Sequence, residues 1–310
     1  MSRTSTNSAP EDKLADRPPS PQSPARRLIA ALLRDRLALI GIVVVSAFVL
    51  AAALAPAIAP QNPYDLSQLD ILDARLAPGS RSGGGSIYLL GTDGQGRDLL
   101  SAILFGLRTS ILVGVSSAAI ALVIGTSVGL VSAYAGGWVD SFLMRVVDIQ
   151  LSFPATLIAL IFLAILGQGI DKIILALIVT QWAYYARTTR GSALVERKRA
   201  YVDAARSMAL PDRAILFRHI LPNCLPPLIV VATMRVAYAI MLEATLSFLG
   251  IGLPVTEPSL GLLISNGFEF LLSGEYWISV FPGLALLLLI VAINLIGDAL
   301  RDILNPRREG

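Results

Sequence analysis

The sequence predicts an all-α polytopic membrane protein with six transmembrane helices, and two observations carry this prediction. The 310-residue chain is 55% hydrophobic with a mean hydropathy of +0.68, which is too apolar for an ordinary soluble domain. It also contains several apolar runs that approach or exceed the roughly 20 residues a helix needs to cross a bilayer. We therefore expect a single membrane domain with polar connections.

The chain begins with a polar tail and a first span. Residues 1–25 are rich in serine, proline and charge, which favours a disordered tail. The apolar run 37–59 follows a basic stretch that contains Arg26, Arg27, Arg34 and Arg36. Its Ala-Ile-Ala ending resembles a signal-peptidase site, but the run is longer than a typical signal sequence. We interpret it as an uncleaved spanning helix.

A long polar loop, residues 60–108, is expected after the first span. Its segment 79–86, GSRSGGGS, is flexible by composition. Three glycines, Gly91, Gly94 and Gly96, allow tight turns but do not match a nucleotide-binding fingerprint. Asp98 then predicts the start of an amphipathic helix with one apolar face, Leu99, Ile103 and Leu107. We expect this helix to lie along the membrane surface.

The remaining spans are predicted over residues 109–135, 141–166, 172–189, 224–250 and 277–296. Gly125 and Gly129 form a GxxxG pair that permits close helix packing. Arg145 and Asp148 lie three residues apart and are placed to form an ion pair, and Pro154 is expected to bend the third span.

The segment 252–276, between the last two spans, is too short to cross the membrane. Its apolar middle, residues 260–264, is expected to enter the membrane shallowly.

Basic residues concentrate on one side of the predicted topology. Eight lie between Arg187 and Arg218, and others lie near both termini, whereas residues 251–276 contain three glutamates and no lysine or arginine. Positively charged short loops mark the cytoplasmic side of a membrane. The loop 190–223, the N-terminus and the C-terminal tail, residues 308–310, are therefore expected in the cytoplasm.

The stretch 198–223 in that loop is predicted to form two short helices with a break. The first runs from about Ala200 to Ala209. Leu210 precedes a proline, which favours extended backbone and ends the helix. Pro211 suits the first turn of a second helix, which is expected to end at Leu221.

The residue inventory excludes several kinds of chemistry. The single cysteine, Cys224, cannot form an internal disulfide, and the single histidine, His219, argues against a haem or zinc site. None of the three lysines follows a glycine, so the chain has no phosphate-binding loop. No nucleophile, base and metal set converges. We expect no enzyme activity, no cofactor in this chain and membrane lipid rather than nucleic acid around it.

Several separated blocks resemble the permeases of binding-protein-dependent ABC importers. Asp203-Ala204-Ala205 is similar to the Glu-Ala-Ala of their EAA signature, with Ala209 in place of its glycine and Leu221-Pro222 as its closing pair. Four further blocks resemble the C-type subunit of the dipeptide/oligopeptide/nickel group: LGTDGQGRD (90–98), GGWVD (136–140), LSFLG (246–250) and NLIGDALRD (294–302). The resemblance covers about residues 26–307.

This resemblance implies the type I ABC importer permease fold in a bacterial inner membrane. It implies a second permease subunit, two cytoplasmic ATPase subunits that bind ATP and Mg, and an external solute-binding protein that delivers a peptide, nickel or another small solute. The EAA loop would be the coupling helix that docks on the ATPase. Two residues depart from the signature: Asp203 is one methylene shorter than glutamate, and Ala209 would cost about 1 kcal/mol if its φ is positive.

We expect the coupling surface to consist of Ala200, Tyr201, Asp203, Ala204, Ala205, Arg206, Met208, Ala209, Leu210 and Arg213. Within it, Ala200, Ala204 and Met208 form a small or soft stripe at helical spacing that allows a partner to approach closely, and basic residues surround the stripe.

Arg235 and Glu243 place charges inside the fifth span, where charges are costly and face protein or water. They are interpreted either as a structural pair, with an interface-seeking arginine as a variant, or as part of the translocation path. A self-contained secondary transporter is the alternative function, but it needs ion-coupling groups and usually internal repeats. Only these two residues are central candidates, and we see no clear repeat.

Overall fold

The computed structural model describes residues 24–65, 69–83, 85 and 87–304, and regular structure in these residues is helical. This confirms the all-α class. The predicted disordered tail lies outside the described residues except for residues 24–25, and the tail 308–310 lies wholly outside them. The helices are α1 (Pro24–Arg34), α2 (Arg36–Ile58), α3 (Leu99–Ala135), α4 (Gly137–Ser152), α5 (Ala155–Leu166), α6 (Ile170–Glu196), α7 (Ala200–Ser207), α8 (Asp212–Ala214), α9 (Leu221–Phe248), α10 (Leu260–Phe268) and α11 (Trp277–Leu304).

Four helical segments in the described chain are long and apolar enough to cross a membrane: α2, α3, the continuous run Asp212–Phe248, and α11. The bent pair α4–α5 makes a fifth if it counts as one span. The fourth predicted span, 172–189, corresponds to α6, which is 27 residues long but more polar. Because α3, α4, α5 and α9 pack around α6, little of it needs to match the lipid.

The bend expected at Pro154 in the third predicted span, 141–166, is confirmed. It is sharp, with 89° between α4 and α5. Phe153 adopts an extended conformation because it precedes Pro154, which has no N–H to continue the helix. The predicted pair of Arg145 with Asp148 is wrong, since Asp148 forms its ion pair with Arg187 of α6.

The predicted surface helix at Asp98 is instead the first part of α3. Asp98 caps the helix, as expected, by accepting a hydrogen bond from the Ser101 N–H at 2.8 Å. However, α3 continues without a break for 37 residues. Its first turns are buried because α10 packs on them, so closely that a Cβ on Gly106 would lie 3.2 Å from the backbone nitrogen of Leu260.

The glycine pair of α3 packs closely on another helix, as its spacing predicted, and the structure shows that this partner is α6. A Cβ on Gly125 would lie 2.3 Å from the carbonyl oxygen of Trp182, and one on Gly129 would lie 2.5 Å from that of Ala186. The register advances in the same direction on both helices, so α3 and α6 run parallel. Glycine is required here because the two backbones are in contact.

The ends of the bundle differ in structure. The segment α7–α8, the α3–α4 junction and the start of α2 lie at one end, which we call the α7 end. At the opposite end, the polar loop before α3 folds around a buried ion pair, Arg97 Nε to Asp93 at 2.7 Å. The nine-residue α10 also lies at that end, packed on α3, α9 and α11.

Candidate functional site

The helix α7, which carries the Asp-Ala-Ala sequence, ends two residues earlier than predicted. The N–H of Ala209 donates to the carbonyl of Arg206 at 2.9 Å, and the N–H of Leu210 donates to that of Ala205 at 3.2 Å. This pair of hydrogen bonds is a Schellman motif, which places its central residue in the left-handed region. Ala209 has φ +53°, so the conformation that favours glycine is occupied by alanine.

The second helix of the loop does not end at Leu221. It starts at Asp212, passes through a π-helical turn, Ile215–Ile220, and continues into α9. In the π-turn the N–H of Leu221 donates to the carbonyl of Leu216, and Pro222 follows in the first turn of α9, where a missing N–H is tolerated. The loop is therefore joined to a spanning helix without a flexible link.

The small residues of α7 divide between two faces. Ala200, Ala204 and Met208 face outward, and Met208 is 67% exposed. Ala205 was predicted to contact a partner, but it is 1% exposed and packs into a core cluster with Ile215.

Leu210, which was also predicted to contact a partner, is half-buried against the same cluster. Both residues therefore hold the shape of the loop and do not form its outer surface.

Charged side chains border the exposed stripe. Asp203 and Arg206 approach to 4.0 Å with most of the aspartate exposed, and Arg213 is also exposed. An exposed pair of this kind adds little to stability because water competes for both charges. These side chains are thus free to form contacts with a partner.

Tyr201 ties α7 to its neighbours. Its hydroxyl donates to Glu196 Oε2 at 2.6 Å, and Asn223 Nδ2 donates to the hydroxyl oxygen at 3.2 Å. Partial burial, with the Glu196 carboxylate adding to it, raises the pKa of Tyr201 to about 12. The hydroxyl therefore stays protonated and connects the end of α6 with the start of α9.

A second set of contacts joins the loop to α3 and α4, and sequence reasoning did not find it. The hydroxyl of Tyr134 donates to Asp212, and Arg197 Nη1 donates to the carbonyl of Ala133 at 2.8 Å. Arg190 binds both carboxylate oxygens of Asp140, at 2.5 and 2.6 Å. The one available signal in the sequence was Asp140 in the GGWVD block, residues 136–140. Together with the Tyr201 contacts, these hydrogen bonds make the α7 end a braced unit of six helices: α3, α4, α6, α7, α8 and α9.

Arg235 and Glu243 do not pair with each other. The guanidinium carbon of Arg235 lies 3.3 Å from the ring centroid of Tyr184 and 5.2 Å from that of Tyr238. Glu243 is fully buried and accepts hydrogen bonds from Ser110 at 3.0 Å and Ser247 at 2.8 Å. Each charge therefore has its own set of partners between helices.

A cavity of about 710 Å³ opens between α2, α3, α9 and α11, and its lining is almost entirely apolar. Neither Arg235 nor Glu243 lines it. In the part of the chain that the structure describes, no group of His, Cys, Asp or Glu side chains is placed to hold a metal ion.

Known protein structures contain a similar helical bundle. Chains of the MetNI methionine ABC transporter in inward-facing conformations match it with TM-scores of 0.53 and 0.55 at 19% identity, over 66% of this chain and 96% of theirs. At that identity the match concerns the fold alone.

Sequence comparison is more specific. Residues 121–310 match the binding-protein-dependent transport system inner membrane component, and residues 23–78 match the N-terminal TM domain of oligopeptide transport permease C. A putative peptide transport system permease of Brucella abortus is 42% identical over 92% of this chain and 93% of its own. The dipeptide transport permease DppC of Haemophilus influenzae is 38% identical over 93% and 96%. The chain belongs to the binding-protein-dependent transport permeases and is a C-type ABC importer permease.

Proposed function

We propose that this chain forms half of the path through which an ATP-driven importer moves di- or oligopeptides across a bacterial inner membrane. Relatives named as dipeptide and di/tripeptide permeases support the cargo class. In this proposal a second permease supplies the other half, and an external solute-binding protein delivers the peptide. Both termini and α7 lie on the cytoplasmic side, as the basic loops favour.

The observation that carries the coupling role is the exposed stripe of Ala200, Ala204 and Met208 on a helix that is otherwise anchored in the core. Small side chains let a partner helix or cleft approach the α7 backbone closely. Asp203, Arg206 and Arg213 surround that contact with charge. A separate ATPase, which binds ATP and Mg itself, is the proposed partner, so this chain needs no cofactor and performs no hydrolysis.

Movement of the docked α7 would reach the membrane through three connections. The π-turn connects the loop directly to α9. The Tyr201–Glu196 hydrogen bond connects it to α6, and the Tyr134–Asp212 hydrogen bond connects it to α3. Because these connections are short, the helices would tilt together with the loop. That tilt would open the path alternately to each side.

Variants of the stripe test this proposal in the reconstituted transporter. We expect Ala204→Trp, Arg206→Glu and Arg213→Glu to lower peptide-stimulated ATP hydrolysis at least tenfold, with normal amounts of protein in the membrane. Ala204→Ser keeps the side chain small and serves as the matched control. Unchanged coupled hydrolysis in all three variants would show that the docking surface lies elsewhere.

The alternative of a self-contained secondary transporter makes a different prediction. It requires uptake by this chain alone, driven by a proton or sodium gradient and independent of ATP. Our proposal predicts no uptake unless the ATPase is present. Identification of the ligand that co-purifies with the cognate solute-binding protein would test the peptide cargo, and a bound metal complex would contradict it.

A further inference from the structure

The short helix α1 lies at the membrane surface because of how it joins α2. Asp35 alone separates the two helices, and its side chain accepts hydrogen bonds from the N–H groups of Leu37 and Ala38 at 2.9 Å each. Its backbone is extended, so α1 and α2 are distinct helices and not one rod. Since α2 crosses the membrane from Arg36 onward, α1 is held at the level where the bilayer begins.

The large apolar residues of α1 share one side of the helix: Leu28, Ile29, Leu32 and Leu33. Leu28 and Leu32 are half-buried where α1 packs on α2 and α11. Ile29 and Leu33 are 55% and 53% exposed. These two side chains continue the apolar surface of α2 outward, so acyl chains at the edge of the bilayer would cover them.

Exposed arginines border the apolar side of α1 without a protein partner. Arg34 lies across the helix from Ile29, Arg26 lies beside Leu33 in the first turn, and Arg36 begins α2. None of the three forms an ion pair with another described residue. The nearby Asp35 carboxylate is occupied by the cap of α2. A guanidinium group binds phosphate oxygens through two parallel N–H donors, so these arginines suit phosphate groups at the same depth.

We propose that α1 is an interfacial helix that binds anionic phospholipid headgroups in the leaflet at the α7 end. Ile29 and Leu33 insert at the headgroup boundary, while Arg26 and Arg34 contact lipid phosphates. Because α1 also packs on α2 and α11, bound lipid would fix the start of the first span against the last one. This inference depends on the membrane class of the protein and not on its cargo or its ATPase.

The depth of α1 can be measured on the full chain by spin labelling. Cys224→Ala removes the single cysteine, and Ile29→Cys or Arg34→Cys then introduces one label on the apolar or the basic side, about 140° apart around the helix axis. In vesicles of phosphatidylcholine with 30% phosphatidylglycerol, we expect the label at 29 to be accessible to oxygen and protected from a water-soluble nickel reagent. The label at 34 should show the reverse. A water-exposed label at both positions would overturn the proposal.

Lipid selectivity provides the second readout. We expect phosphatidylglycerol to be enriched over phosphatidylcholine around the native chain in nanodiscs, with each removed arginine lowering that preference about fivefold. Arg26→Gln and Arg34→Gln test this, and Arg108→Gln at the opposite end of the bundle is the control. Arg26→Lys with Arg34→Lys should retain most of the preference. Equal enrichment of phosphatidylglycerol around the native chain and around a variant with both Arg26→Gln and Arg34→Gln would contradict lipid binding by α1.

Discussion

The backbone N–H of Leu210 donates to the carbonyl oxygen of Ala205 at 3.2 Å, and the two side chains belong to the same apolar cluster. This hydrogen bond closes α7 and requires Ala209 to sit at φ +53°. An L-residue with a Cβ is strained there by about 1 kcal/mol relative to glycine. The end of α7 is thus built as its family resemblance implies, but with the less favourable residue.

We therefore expect Ala209→Gly to stabilise the α7 end by about 1 kcal/mol. Hydrogen exchange of the α7 amides, together with thermal unfolding, would measure it. Ala204→Gly is the matched control, because Ala204 lies within α7 and glycine there should destabilise the helix by about 0.5–1 kcal/mol. Equal destabilisation by both substitutions would contradict the strain assigned to Ala209.

Tyr201→Phe should loosen α7 without changing its outer stripe. The substitution removes the hydroxyl that bridges Glu196 and Asn223, and a hydrogen bond to a charged group contributes about 1.5–3 kcal/mol when buried. Because Tyr201 is 38% exposed, we expect a loss of about 1 kcal/mol. The ratio of ATP hydrolysed to peptide transported should rise, and an unchanged ratio would mean that this link does not transmit motion.

The same tyrosine predicts a pH effect. Its pKa is raised in the folded protein to about 12, so the folded state favours the protonated phenol. That contribution is complete below the ordinary pKa of tyrosine, about 10, and is lost as the pH rises toward 12. The native chain should therefore lose more stability between pH 10 and 12 than Tyr201→Phe does.

The outcomes at two prolines show how far sequence reasoning reached. The bend expected at Pro154 is present, at 89°, whereas the helix end expected before Pro222 is absent because the helix continues through it. Both residues lack the same N–H. At Pro222 a π-turn moves the preceding hydrogen bonds so that the helix can proceed. Which result occurs depends on tertiary packing, and local sequence does not contain that information.

The sequence pattern also did not predict which residues of α7 face outward and which lie in the core. Ala204 and Ala205 are chemically identical, but one faces outward and the other lies in the core. The break at Leu210, the cap at Asp98 and the helix contact at Gly125 were predictable, because each follows from a local steric rule. The brace between Asp140 and Arg190 joins residues 50 positions apart, so it required the fold.

The contact between α3 and α6 predicts that alanine substitutions at different glycines will differ strongly in their effect on stability. Gly125→Ala and Gly129→Ala each place a methyl group within 2.3–2.5 Å of a backbone oxygen of α6. We expect each to destabilise the protein in detergent by about 1–3 kcal/mol through overpacking. Gly191→Ala, in α6 with no atom within 4 Å of its added Cβ, should be neutral or slightly stabilising. Comparable melting temperatures for all three variants would refute the close approach.

The polar loop before α3 should weaken in acid. The pKa of Asp73 is held below its ordinary value, and the main cause is a hydrogen bond from the Ser82 side chain. The Tyr88 hydroxyl donates to the same carboxylate at 2.9 Å. The ionised form is therefore favoured by folding, so its contribution is present above about pH 4 and is lost as the pH falls through the lowered pKa.

We expect amide exchange across residues 70–98 to accelerate below pH 4 beyond its intrinsic pH dependence. Asp73→Asn should already exchange faster at pH 7 and should change less on acidification. Asp203→Asn, at the other end of the molecule, is the control and should leave these amides unaffected. An acid response of the same size in Asp73→Asn and the native chain would assign it to other groups.

Glu243 distinguishes a structural role from a transport role. Its carboxylate joins α9 to α3 through Ser110, and Ser247 supports it from the next turn of α9. Glu243→Gln keeps one acceptor oxygen at similar size, so we expect a loss of about 1 kcal/mol and nearly normal ATP-driven uptake. Glu243→Leu removes the acceptor for both buried hydroxyls and should cost about 2–4 kcal/mol.

If the carboxylate instead carried a coupling ion, Glu243→Gln would abolish uptake while its melting temperature stayed near that of the native chain. Because Glu243 is fully buried and does not line the cavity, we expect stability and uptake to fall together across the two variants.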